Sequence, residues 1–151
     1  MVGRYILTHP LDEELQVLED KINHSFANGA LLREALHLPN GWNGDGNKRL
    51  SLIGDPILKL VIGISGRNEN NTIGEISNMI QQRASNANLA DQGFIHGIDK
   101  FIVKNPSQSD ITRNVMATTM QAIVGAVYVD CNHQIQPCAD VMTALGLSWP
   151  E

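Results

Sequence analysis

The sequence predicts an all-α domain of about seven helices. Two observations carry most of that reading. Apolar residues recur at helical spacing in successive segments, and helix-breaking residues cluster between those segments, at Pro39–Gly46 (PNGWNGDG), Gly66–Thr72 (GRNENNT) and Asn105–Ser109 (NPSQS). A third concerns the one segment whose β-branched residues could make a strand. Its apolar and small residues continue from Val115 to Val129, far beyond a typical strand length.

The first helix is expected from about Leu11 to Phe26, where Leu11, Leu15, Leu18, Ile22 and Phe26 form one apolar face. Asp12, Glu13 and Glu14 occupy its first turn, where the helix dipole favours negative charge. A short second helix, Gly29 to Leu38, follows Asn28. Residues 47 to 65 read as a third helix, apolar nearly all round and so expected to be buried. Thr72 followed by Glu75 is a capping box that opens a fourth. Asn86 to Ile95 reads as a fifth, ended by Gly97. Residues 110 to 130 read as the sixth and Gln134 to Leu145 as the seventh, with helices three and six as a central buried pair.

Composition narrows the function classes. A chain of 151 residues and 16.5 kDa is one domain by length, large enough to fold without disulfides or a metal. Eleven Lys and Arg against sixteen Asp and Glu leave a formal charge of −5. That argues against a protein that grips phosphate backbones through its overall charge. The amino terminus has no signal-like apolar run, and the richest apolar segment, Leu50 to Ile64, is broken by Asp55 and Lys59. With only Cys131 and Cys138 present, an intracellular, non-secreted domain with no membrane span is expected.

The informative residues are polar ones inside apolar helices, because burying them is costly without partners. Lys48, Ser51 and Asp55 share one stripe of the third helix, and Thr118 and Gln121 share one face of the sixth. Spacing leaves two readings open: these groups face solvent or satisfy one another, or the two stripes meet in a shared polar cleft.

The segment Asn47 to Leu58 (NKRLSLIGDPIL) resembles the signature of the ribonuclease III catalytic domain, which usually reads N-E-R-L-E-F-L-G-D-A-V-L. Phe26 to His37, Gly74 to Ser77, Ala84 to Ala90 and Ala117 to Asp130 (ATTMQAIVGAVYVD) are similar to further family stretches, in the right order. The resemblance covers about residues 15 to 145. It implies an all-α nuclease fold, a single domain over 1–151 with no double-stranded-RNA-binding domain, and normally a homodimer that cuts double-stranded RNA.

The resemblance also implies a site. The family holds paired Mg²⁺ ions with four acidic ligands, and hard oxygen donors suit that ion. Carried over, those ligands fall on Ser51, Asp55, Thr118 and Gln121, of which Asp55 alone is a carboxylate. A further acidic position is Lys48, and the family's Glu before its G-x-L-S stretch is Ile73. Each unit charge removed near 4 Å forfeits roughly 4 kcal/mol of attraction at an effective dielectric of 20. The expectation is a neutral cleft without metal or cofactor, in which Lys48 is the candidate partner for Asp55. Pro56, where the family has Ala, is expected to kink the helix beside Asp55. Family dimers pair through the signature helix, so Leu52, Ile53 and Leu58 are the candidate interface residues.

These expectations add up to a catalytically inactive ribonuclease III-like domain, a homodimeric scaffold or binding module with double-stranded RNA or an RNA–protein assembly as candidate partner. Two enzyme readings stay open: residual cleavage of double-stranded RNA with Mg²⁺ or Mn²⁺, and new chemistry in the remodelled cleft. Other constellations are weak. Cys131, His133 and Cys138 offer three soft ligands but no fourth. His37 is expected to be structural, and Trp42 and Trp149 to pack rather than stack on bases.

Overall fold

The computed structural model describes residues 12–39, 44–104 and 110–150. Within them the chain forms seven α-helices and one short 3₁₀ helix. They are α1 (Asp12–Ile22), α2 (Gly29–Leu36), α3 (Lys48–Asn68), α4 (Ile73–Arg83), α5 (Asn86–Ile95), the 3₁₀ helix Ile98–Phe101, α6 (Arg113–Asp130) and α7 (Ile135–Ala144). The expected Leu11, Trp42 and the 105–109 loop lie outside the described residues.

Helix ends follow local chemistry. The Thr72 hydroxyl accepts from the Glu75 N–H (3.1 Å) while the Glu75 carboxylate accepts from the Thr72 N–H (2.8 Å), completing the capping box. Asn28 caps α2, Ser85 caps α5 and Thr112 caps α6 through side-chain oxygens. The Thr112 cap starts α6 at Arg113 rather than 110. Asn23 and Asn70 sit at φ 62° and 58°, a left-handed conformation that asparagine tolerates. Asn23 therefore ends α1 short of Phe26, which packs on the core from the following turn.

Helix α6 is the hub. Met116, Met120, Ala122, Ile123, Val124, Ala126 and Val127 are all fully buried, and α2, α3, α5 and α7 pack around it. Its contact with α3 is the most extensive in the molecule and is made backbone to backbone at two glycines. A Cβ on Gly54 would run into the Gln121 carbonyl oxygen, and one on Gly125 into the Leu50 carbonyl oxygen. Only glycine permits this approach.

Helix α3 corrects one expectation. It is not buried all round. Leu50, Ile57, Leu58, Val61 and Ile62 face the core, whereas Leu52, Leu60 and Ile64 are exposed, Leu52 at 75 %. The helix runs unbroken through Pro56. The missing Pro56 N–H removes the donor that would have met the Leu52 carbonyl, and both residues are exposed. Among the described residues, no helix is long and apolar enough to cross a membrane.

Two further ties close the bundle. His37 forms a parallel bridge with Val103, and its ring Nδ1 donates to the Arg33 carbonyl at 2.7 Å, a structural use of that histidine. Asp130, at the end of α6, has a side chain only 3 % exposed. Its carboxylate accepts from the backbone N–H groups of Ala27 (3.0 Å) and Asn28 (2.8 Å) and from His24 Nε2 (2.9 Å), pinning the α1–α2 turn to the hub.

Candidate functional site

The Gly54–Gly125 contact sets Asp55, one residue on, beside Gln121 of α6. Gln121 Nε2 donates to Asp55 Oδ1 at 3.4 Å, a long bond. The charge partner of Asp55 is Lys59, not Lys48: Lys59 Nζ lies 3.2 Å from Oδ2, one helical turn further along the same face. Lys48 stands exposed at the start of α3.

The other polar positions are occupied with their own helices. Ser51 is buried and donates its hydroxyl to the Lys48 carbonyl at 2.6 Å. Thr118 donates to the Asn114 carbonyl at 3.1 Å. Such back-bonding is a common way to satisfy a hydroxyl inside a helix. The predicted stripes do not share one cleft. Asp55 and Gln121 line a cleft of about 800 Å³ together with Lys59. Lys48 and Thr118 line a separate hollow of about 130 Å³ with Asn47, Asn114 and Val115.

The larger cleft has an apolar wall. Ile73, Ile76 and Ile80 of α4 and Ala84 line it, with Ser77, Gln81, Ser85 and Asn86 as its remaining neutral polar groups. Ile73, at the position where the family carries a Glu, is 88 % exposed. A β-branched hydrocarbon in water at that point makes the mouth of the cleft greasy, not anionic.

Sequence reasoning missed one buried polar link. Asn47 is fully buried, and its Nδ2 donates to the Ala35 carbonyl (2.9 Å) and to the Thr119 hydroxyl (3.1 Å), while Thr119 donates to the Val115 carbonyl (2.9 Å). Asn47 and Thr119 thus join α2, α3 and α6 in the core, each one residue from a position the stripe did pick out. A wheel that placed Thr118 on the cleft side would have placed Thr119 inward.

The donor set does not suit a pair of Mg²⁺ ions. Such ions need several carboxylates or comparable hard oxygens, and here a single carboxylate is already matched by an ammonium group. Among the described residues, no three His, Cys, Asp or Glu side chains gather into a group able to hold a metal. Of the soft trio noted in the sequence, Cys131 and Cys138 converge, whereas the His133 ring lies 5.1 Å from that of Tyr128.

A helical bundle organised on a glycine-to-glycine crossing of its two longest helices, with a cleft at that crossing, has the architecture of a ribonuclease III nuclease domain. The nuclease domain of ribonuclease III from Campylobacter jejuni superposes with a TM-score of 0.79 over 91 % of this chain and 99 % of that one, at 18 % identity. The family model for the Ribonuclease III domain matches residues 48–132, from the start of α3 past the end of α6, and the chain belongs to that family. Ribonuclease 3 of Coxiella burnetii is 30 % identical over 123 residues. Ribonuclease 3 of Pseudoalteromonas translucida is 27 % identical over 136. The chain spans about half the length of the curated relatives it matches, 52 % for the Coxiella protein.

Proposed function

We propose that this domain is a catalytically inactive ribonuclease III-fold module that works inside the cell as a homodimer, in an RNA-associated or scaffolding role. One observation carries the loss of catalysis: Asp55, the single carboxylate left at the family's ligand positions, is engaged by Lys59 and Gln121. The hydroxyls of Ser51 and Thr118 are turned onto their own helices. No cofactor belongs to this reading. The test is incubation of tag-free protein with long duplex RNA and Mg²⁺ or Mn²⁺. The expected result is intact RNA; metal-dependent cutting that disappears in Asp55→Asn would restore the nuclease reading.

The dimer is supported by the outer face of α3. Leu52, Pro56, Leu60 and Ile64 follow one another at intervals of four residues, and all are exposed. A contiguous apolar helix face of this length is what a partner covers. Ile53 is half-buried at its edge. Leu58 cannot contribute: it is fully buried against the chain's own core, because it lies on the opposite side of the helix. One structure of the Campylobacter nuclease domain is described by the flexibility of a region involved in dimer formation. With a net charge of −5, affinity for double-stranded RNA would come from a local surface of the dimer or from a surrounding RNA–protein assembly.

A second reading, new chemistry in the remodelled cleft, is favoured by the cleft itself. Its volume of about 800 Å³ would accept a small molecule against the isoleucine wall, and Asp55 and Lys59 are the charged groups facing it. A crystal soaked with Mn²⁺ separates the possibilities. Density at Asp55 would favour the nuclease, and an enclosed organic ligand would favour this reading.

A further inference from the structure

The turn between α6 and α7 brings together the chain's two cysteines, both free thiols. Cys131 caps the end of α6 and is half-buried; Cys138 lies in the first turns of α7 and is fully buried. Asn132 and His133, at φ 58° and 66°, reverse the chain between them, and the His133 N–H returns to the Tyr128 carbonyl at 2.9 Å. The result is that both sulfurs close on one oxygen. Cys131 Sγ is 3.2 Å from the Gln134 carbonyl oxygen, and Cys138 Sγ is 3.7 Å from the same atom. Neither sulfur belongs to the cleft beside Asp55.

We propose that Cys131 and Cys138 are a thiol–disulfide exchange pair, with Cys131 as the entry sulfur for a low-molecular-weight disulfide such as glutathione disulfide and Cys138 as the resolving sulfur. The difference in exposure assigns the roles, since an incoming disulfide reaches Cys131 and not Cys138. In the first step the Cys131 thiolate attacks one sulfur of the small disulfide. A mixed disulfide forms on Cys131 and one small thiolate leaves. In the second step the Cys138 thiolate attacks Cys131 Sγ, the mixed disulfide breaks, the Cys131–Cys138 bond forms and the second small thiolate departs. The two protons shed by the cysteines are taken up by the departing thiolates, and the two electrons they lose reduce the small disulfide to two thiols.

Burial, with the Cys131 thiol as a neighbour, pushes the Cys138 thiol up to about 12, so little of it is ionised at neutral pH. The second step is therefore the slow one, and the mixed disulfide on Cys131 accumulates before closure. Oxidation would staple the start of α7 to the end of α6, next to the Asp130 anchor that holds the α1–α2 turn.

The experiment is intact-mass analysis of the full chain during incubation with glutathione disulfide, followed by peptide mapping under non-reducing conditions. The expected sequence is a glutathione adduct confined to Cys131, then loss of the adduct and a Cys131–Cys138 link within one chain. The closed form should melt higher by about 5 °C, because a short loop is cross-linked in the unfolded chain. Cys138→Ser should stop at the adduct. Should that variant not fold, Cys131→Ser gives an independent check: native protein must resist the oxidant until unfolded, when Cys138 becomes reactive. A wild-type chain that stops at the adduct, that couples only between chains, or whose Cys138 reacts as fast in native Cys131→Ser as in unfolded protein overturns the proposal.

Discussion

Lys59 Nζ sits 3.2 Å from Asp55 Oδ2, one turn along α3. The geometry sets an ammonium group against the Asp55 carboxylate from within its own helix. Both groups are substantially solvent-exposed, so the pair contributes little stability. Asp55→Asn is expected to cost under about 1 kcal/mol in urea unfolding. A loss above about 2 kcal/mol would show that Asp55 has structural work beyond this pair.

Gln121→Glu would place a second carboxylate beside Asp55, where the amide now donates at 3.4 Å. Two like charges at this distance repel. The melting temperature should fall by roughly 2–4 °C, equivalent to about 1 kcal/mol, and millimolar Mn²⁺ should recover part of the loss. Wild-type protein should show no such response to Mn²⁺, and an equal rise in both proteins would point to metal binding elsewhere.

The Asp130 carboxylate supplies a pH signature. Burial pushes its pKa up, but the N–H groups of Asn28 and Ala27 and the His24 ring outweigh that and hold it below the ordinary 3.8. A carboxylate with a depressed folded-state pKa stabilises fully above its unfolded value, and that stability is lost as pH falls through the folded one. Asp130→Ala should cost about 2–4 kcal/mol at neutral pH, since two backbone donors lose their acceptor. The gap between wild type and variant should narrow progressively once pH drops below 3.8, as followed by urea titrations at stepped pH. A gap that stays constant would mean the carboxylate charge is not what holds the turn.

Leu52→Glu with Leu60→Glu should leave the monomer fold intact, since neither side chain lies in the core. It should weaken self-association by at least about 100-fold, or about 2.7 kcal/mol, by sedimentation velocity. Leu58→Ala is the contrasting change, expected to cost about 2–5 kcal/mol of fold stability through a core cavity. If wild-type protein sediments as a monomer at micromolar concentration, the homodimer reading fails.

The backbone contact makes the sharpest stability prediction. Gly54→Ala or Gly125→Ala would force the α3 and α6 backbones apart, at a cost of about 3 kcal/mol or more. Circular dichroism melts would show it directly.

Most of the helices were legible because each carries its own period and punctuation. The Thr72–Glu75 box and the long run through Val129 are local signals, and local signals survive folding. The errors came where a helix meets something outside its own sequence window. Phe26 continues the apolar stripe of α1, yet Asn23 turns the chain before it, and periodicity does not register a single left-handed residue. Helix α3 reads as apolar nearly all round, but which side meets α6 is decided by Gly54, and which side is left outward is a question of partners. At the site, the resemblance grouped Ser51, Asp55, Thr118 and Gln121, and of these the structure joins Asp55 and Gln121 by a hydrogen bond. The resemblance did not show that Lys59 rather than Lys48 reaches Asp55, although the four-residue spacing was available as a signal. Nor could spacing tell that Thr118 and Gln121, three residues apart, open into different hollows.

The Gly54–Gly125 crossing has one more consequence. Because the two helices touch where neither carries a side chain, their closest approach is set by backbone atoms. The spacing there is set by residues that carry no side chain, and Asp55 and Gln121 flank it. What spaces the helices at this point is backbone, and what lines the cleft beside it is side chain.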